Sequence, residues 1–239
     1  MDTGENDRTG GFVFVSTPIG NFGDLSDRAA KTLKQSQTWL VEDTRVSGKL
    51  ASFLGVRPSM HLLNEQTSPH QLEKFLALAQ RGGEIAIITD GGSPVISDPG
   101  ARICDEAYRH ELSVDVVPGP SAVVTALTLS GFYAQKFAFL GFLARKSGAI
   151  KSELLEYEHS TLTLVVFESP YRLEATLHAI AEVLAGRRYA ICRELTKPYQ
   201  QVWRGTFPEI PDEDKCPRKG EFTIVIEGRR SSRSVMNLG

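Results

Sequence analysis

The chain predicts an α/β fold in two units, a mainly parallel sheet followed by a mixed one. Three observations lead there. Short apolar runs alternate with segments of helical spacing up to about residue 118. Pro118-Gly119-Pro120 then interrupts that rhythm, and the chain closes on two stretches that alternate polar and apolar residues without helical periodicity. With 239 residues there is enough chain for two modest cores, and the expected units are 11–118 and 119–230.

In the first unit, Phe12 to Ser16 reads as a strand and Leu25 to Leu33 as a helix capped near Asn21 or Asp24. Thr38 to Val41 is a second strand, and Val46 to Leu54 a helix closed by Gly55. Met60 to Leu63 follows as the third, before a helix capped by Ser68 and running to Ala79. Glu84 to Thr89 is the fourth strand, Pro99 to Arg109 a helix, and Val114 to Val117 the fifth strand. Five strands joined by helices imply a parallel sheet covered on both faces; the strand order is not legible.

Ser121 to Leu129 opens the second unit as an apolar helix ended by Gly131. Phe137 to Leu140, Leu162 to Phe167 and Arg188 to Cys192 read as strands, with helices at Lys151 to Glu158 and Arg172 to Leu184. Gln200 to Phe207 and Glu221 to Glu227 are expected as a terminal antiparallel hairpin or edge pair, joined by an exposed link from Pro208 to Lys219. Met1 to Gly10 and Arg229 to Gly239 are expected as frayed tails.

The chemistry-bearing residues gather where strands end. Thr89-Asp90-Gly91-Gly92-Ser93-Pro94, with Ser97-Asp98-Pro99-Gly100 beyond it, follows an apolar strand, the usual ligand position in an open α/β sheet. Its glycines admit a ligand close to the backbone, and its prolines shape the loop in advance. Thr17-Pro18-Ile19-Gly20-Asn21, Glu42-Asp43-Thr44-Arg45 and Asn64-Glu65-Gln66 end the first three strands on the expected same edge. Carboxylates there can accept a hydroxyl proton, and Arg45 can hold phosphate through its fork. In the second unit Glu168-Ser169-Pro170-Tyr171-Arg172 and Arg193-Glu194-Leu195-Thr196-Lys197 follow strands, Tyr171 being suited to stacking on a base, and Arg218-Lys219 adds a basic spot.

Several classes are disfavoured. Neither G-x-G-x-x-G nor G-x-x-x-x-G-K-[ST] occurs, so a dinucleotide or P-loop site lacks its signature. The 3 cysteines and 5 histidines show no metal spacing, and no nucleophilic triad is visible, which leaves no metal expected. A polar start and widely spaced cysteines point to a cytoplasmic protein. With 27 basic against 29 acidic residues, the chain does not live mainly on phosphate attraction, although local fields can still favour RNA.

These motifs, in order from Thr17 to Glu221 and including Pro118-Gly119-Pro120-Ser121 and Gly141-Phe142, resemble the ribosomal RNA small-subunit methyltransferase I family of the tetrapyrrole methylase superfamily. The resemblance implies a homodimer that transfers a methyl group from S-adenosylmethionine to the ribose 2′-hydroxyl of a decoding-region cytidine in 16S rRNA, on the 30S subunit. It implies the two-domain tetrapyrrole-methylase-like α/β fold, with the cofactor in the cleft between domains. By position, Pro18, Ile19, Asp90, Gly91, Gly92, Ser93, Pro94, Ile96, Ser121, Ala122, Phe167 and Leu195 would line the cofactor pocket. Glu42, Asp43 and Glu65 are the candidate proton acceptors, and Arg45, Asn64, Arg172, Arg193, Lys197, Arg218 and Lys219 the candidate RNA contacts. The chain departs from the family pattern at Val46, where a histidine is common, at Gln200, and in Gly91-Gly92-Ser93. Methylation of a small acceptor such as a tetrapyrrole, and a non-catalytic ribosome-binding factor, are the competing readings.

Overall fold

The computed structural model describes residues 10–96 and 100–230. Ser97, Asp98 and Pro99 of the expected ligand loop lie outside the described residues, as does most of each expected tail. The chain divides into two compact units, Met1–Ser121 and Ala122–Gly239, against an expected boundary at residue 118.

The first unit holds β1 (Gly11–Val15), α1 (Asp27–Gln35), β2 (Thr38–Val41), α2 (Thr44–Leu54), β3 (Ser59–Leu62), α3 (Pro69–Gln80), β4 (Glu84–Ile88), α4 (Gly100–Arg109) and β5 (Ser113–Val117). Its strands form one parallel sheet in the order β3-β2-β4-β1-β5. Strand alternation sorts its side chains into two cores. Phe12, Phe14, Leu40, Ile85 and Ile87 pack with Leu72, Phe75 and Leu76 of α3 and Ile103 and Ala107 of α4. Val13, Val15, Trp39, Val41, Ala86 and Ile88 pack on the other face with Ala29 and Leu33 of α1 and Leu50, Ala51 and Leu54 of α2. Both faces are therefore covered, which permits the near-continuous apolar strands.

Caps set the helix starts. Ser26 Oγ accepts from Ala29 N at 3.1 Å, and Ser68 with Gln71 makes a reciprocal capping box. α2 starts at Thr44 because Asp43 Oδ1 accepts from Arg45 N at 2.8 Å, and it stops at Gly55 in the left-handed conformation, φ 71°.

The second unit holds α5 (Ala122–Ser130), β6 (Phe137–Phe142), α6 (Ser147–Leu155), β7 (Thr163–Glu168), α7 (Leu173–Val183), β8 (Arg188–Arg193), β9 (Gln201–Thr206) and β10 (Phe222–Ile226). The sheet order is β6-β7-β10-β8-β9, parallel at β6-β7 and antiparallel elsewhere. One face carries Leu164, Val166, Ile191 and Ile224 against Leu154 of α6 and Leu173, Leu177 and Ile180 of α7. On the other, Cys192 Sγ lies 3.8 Å from Ala126 O of α5.

Three expectations need correction. The last two strands do not pair with each other: β10 is inserted between β7 and β8, while β9 is an edge. All five β10 residues are buried, so the strand needs neighbours on both sides, whereas the partly exposed β9 suits a rim. The Pro208 to Lys219 link is not wholly exposed, because Cys216 is 1% exposed and joins the core. Arg229 of the expected tail is held by its N–H, which donates to Ser160 O at 2.9 Å. No helix among the described residues is long and apolar enough to cross a membrane.

Candidate active site

Because all five strands of the first sheet are parallel, their carboxyl ends share one edge, and the loops after β1, β2, β3, β4 and β5 meet there. The loops after β1 and β4 are joined by a short bridge: Thr17 N donates to Gly92 O at 2.9 Å and Gly92 N to Thr17 O at 3.0 Å. Thr17 Oγ1 adds a bond to Thr89 O at 3.3 Å. Ser16 Oγ donates to Ser93 Oγ at 3.1 Å, and Ser93 Oγ to Pro120 O at 3.3 Å, which ties in the loop after β5. Gly92 sits at φ 95°, and a Cβ there would meet Ile19 Cγ2 at 3.4 Å. Val95 follows at φ 78°, costly for a β-branched residue and the kind of backbone strain that collects at ligand sites. Pro94 is buried, while Gly91 and Ile96 are exposed.

The loops after β2 and β4 are linked through their acids. Asp43 N donates to Asp90 Oδ1 at 3.1 Å, and Asp90 N to Glu42 Oε2 at 3.4 Å. Partial withdrawal from water, then the adjoining Glu42 charge, pushes the Asp90 carboxyl up to about 6. Asp43 is the opposite case. Its carboxylate takes bonds from Arg45 Nε at 3.1 Å and Nη2 at 2.5 Å as well as from the Arg45 backbone, and the guanidinium holds it down at about 2. Arg45 is correspondingly committed to Asp43, although its side chain is 88% exposed.

Two small cavities adjoin this edge. One of about 70 Å³ is lined by Thr17, Pro18, Val46, Ser47, Lys49, Thr89 and Asp90. Ser47 Oγ and Thr89 Oγ1, both on buried residues, lack a hydrogen-bond partner among the described residues, an uncommon state for buried hydroxyls. The other, about 240 Å³, is lined by Leu63, Asn64, Glu65, Thr67, Leu72 and Arg102. Asn64 shapes its own turn, accepting from Gln66 N at 3.0 Å while its N–H donates to Thr67 Oγ1 at 2.8 Å. Sequence reasoning missed Ser47, Lys49 and Arg102, since all three lie inside helices where spacing marks no site. Thr89 stands out in the sequence only as the start of a loop.

In the second unit Phe167 and Leu195 share one edge of the sheet, since Glu168 and Arg193 both pair with Phe222. Phe167 packs edge-on to Phe139 at 4.8 Å, and Leu195 is buried between Glu194 and Thr196, both at positive φ (51° and 63°). Ser121 and Ala122 are half-buried on either side of the division between units. Most of the expected RNA contacts here are engaged within the chain. Arg172 Nη2 donates to Leu143 O at 2.8 Å and Ala144 O at 2.7 Å and faces Glu168 at 3.3 Å. Arg193 Nε donates to Lys219 O at 2.5 Å, and Lys197 Nζ pairs with Glu194 and Glu221 at 3.0 Å each. Arg218, with only 11% of its side chain exposed, donates to Cys216 O at 2.7 Å and Pro211 O at 2.6 Å. Tyr171 and Lys219 are exposed.

Residues 11–211 match the family model described as tetrapyrrole (corrin/porphyrin) methylases. A protein of Thermotoga maritima called ribosomal RNA small subunit methyltransferase I is 40% identical over 222 residues, which is 92% of this chain and 99% of that one. The chain belongs to the ribosomal RNA small subunit methyltransferase I family, within the tetrapyrrole methylases. The family member of that name from Bacillus subtilis is 40% identical over 90% of this chain and 74% of its own length. Among solved structures, the methyltransferase CobJ superposes with TM-score 0.68 at 13% identity, covering 93% of this chain and 97% of that one. A uroporphyrin-III C-methyl transferase from Thermus thermophilus, complexed with S-adenyl homocysteine, gives 0.62 at 18% identity over 90% and 95%. These two likenesses establish the shared two-domain α/β fold.

Proposed function

We propose that this family member transfers the methyl group of S-adenosylmethionine to the ribose 2′-hydroxyl of a decoding-region cytidine in 16S rRNA, acting as a cytoplasmic homodimer on the 30S subunit. The observation that carries the reading is the 40% identity, over nearly the full length of both chains, to a relative named for the small-subunit rRNA. The solved neighbour that holds S-adenyl homocysteine supports the cofactor.

The residues of the first sheet edge fit such a cofactor. Gly91 and Gly92 keep side-chain bulk out of the loop after β4, and the small cavity beside them is lined by Thr17, Pro18 and Asp90. The bound sulfonium would supply an electrophilic methyl. This chain's part is to hold the ribose oxygen in line with it and to take the hydroxyl proton as the new O–C bond forms.

Of the three expected acceptors, Asp43 is a poor base because Arg45 holds its carboxylate ionised and bonded. Glu42 and Glu65 remain, and Glu42 shares its surroundings with Asp90, whose value of about 6 suits a base working near neutrality. We assign the proton to the Glu42–Asp90 pair. The deciding experiment is transfer of labelled methyl from S-adenosylmethionine to undermethylated 30S subunits, with nucleoside analysis. Label in a 2′-O-methylcytidine is the expected result. Label that appears only on a tetrapyrrole, or nowhere, would overturn the reading.

A further inference from the structure

At the opposite edge of the second sheet from Phe167 and Leu195, the start of β8 and the end of β10 border a cavity of about 590 Å³. Four arginines line it: Arg187, Arg188, Arg229 and Arg230. Arg188 and Arg230 both pair with the buried Glu227, the former through two bonds of 2.7 and 2.6 Å. The other acids that line the cavity are Glu158 and Glu182, and Glu182 is already paired with Lys151.

Arg187 and Arg229 have no ion-pair partner among the described residues. Arg187 is 7% exposed; its Nη2 bonds the backbone carbonyls of Tyr157, Glu158 and Ser160, and its Nη1 bonds nothing. Burial first, then the nearby Arg229 charge, lowers the Arg187 pKa, and Glu158 on the cavity wall offsets only part of this. Two like charges side by side, one of them buried, are costly unless an anion relieves them. Arg229 Nη1 lies 2.7 Å from His159 Nδ1, so that nitrogen accepts and the imidazole proton sits on Nε2 as a further donor.

We infer that this cavity is a phosphate-binding subsite, built on Arg187, Arg229 and His159, that grips the RNA backbone. The source of the phosphate rests on the proposed rRNA function; the anion site itself does not. The contact would lengthen the footprint of a chain whose net charge is only −2.

The test uses the full chain and its Arg229→Gln variant, which retains the Arg229 backbone bond to Ser160 O. The His159 ring resonances are followed by NMR while inorganic phosphate and then a short single-stranded RNA are added. The expected result is a saturable shift with phosphate in the parent, its loss in the variant, and displacement of phosphate by RNA. RNA affinity in the variant should fall about fivefold at 0.1 M salt, with a slope of log affinity against log salt shallower by about 0.7, and kcat at saturating RNA should not change. No saturable shift at His159 would overturn the site. Phosphate binding that RNA neither displaces nor shares with a changed salt slope would overturn the RNA backbone as its source. Failure of methyl transfer to 30S subunits would sink the rRNA reading while leaving the phosphate result standing.

Discussion

The backbone N–H of Asp43 donates to Asp90 Oδ1 at 3.1 Å, joining two loops 47 residues apart in sequence and placing three carboxylates together. Asp90 and Asp43 shift in opposite directions: burial and then the Glu42 charge raise Asp90, whereas the hydrogen bonds from Arg45 lower Asp43.

That opposition has a pH signature. Asp90 is raised from 3.8 to about 6, so the folded state binds the extra proton between those values, and its contribution to stability falls as pH rises through that window. Asp43 is lowered to about 2, so its contribution is present above 3.8 and is lost as pH falls towards 2. Asp90→Asn, whose amide oxygen can still accept from Asp43 N, should flatten the dependence of the urea midpoint between about pH 4 and 6 and leave the acid limb below it intact.

The proton assignment separates the acids kinetically. Glu42→Gln and Asp90→Asn should each lower single-turnover methyl transfer by about 10²-fold, the lower end for a positioned general base. Asp43→Asn, whose amide oxygen can still cap α2, should act mainly through loss of the Arg45 ion pair. Equal rates for Glu42→Gln and the parent under saturating cofactor and RNA would remove Glu42 from the role.

Gly92→Ala should be damaging out of proportion to its size. An alanine at φ 95° is strained whatever the space around it, and the strain falls on the Thr17–Gly92 bridge. A loss of about 1–2 kcal/mol of stability in urea unfolding is expected, together with weaker binding of S-adenosylmethionine by calorimetry. Unchanged cofactor affinity would detach this loop from the cofactor.

Arg172→Ala should unfold the second unit more readily rather than merely weaken RNA binding. Glu168, 3% exposed, accepts from Thr176 Oγ1 and Ser169 N and faces Arg172, so removing the arginine strands a buried carboxylate. The expected loss is about 3 kcal/mol in urea unfolding, and Arg172→Ala combined with Glu168→Gln should recover part of it. Full stability in the single variant would show that the carbonyls of Leu143 and Ala144 need no guanidinium.

Local signals in the chain were enough to specify the alternation of strands and helices in the first unit, because apolar periodicity and caps such as Ser68 and Gly55 act over a few residues. They also marked the loops after the strands, since Gly-Pro chemistry at a strand end is local, and the ordered motifs sufficed to identify the family. The entry of β10 into the middle of its sheet emerges only on folding, because strand pairing depends on burial on both flanks and leaves no local trace. The same holds for Arg172 and Arg218, which hold backbone carbonyls of their own chain: a guanidinium reads alike in sequence whether its partner is a phosphate or a carbonyl oxygen. The unpartnered hydroxyls of Ser47 and Thr89 and the unpartnered Nη1 of Arg187 follow the same logic, since satisfaction of a polar group is a property of its surroundings in space.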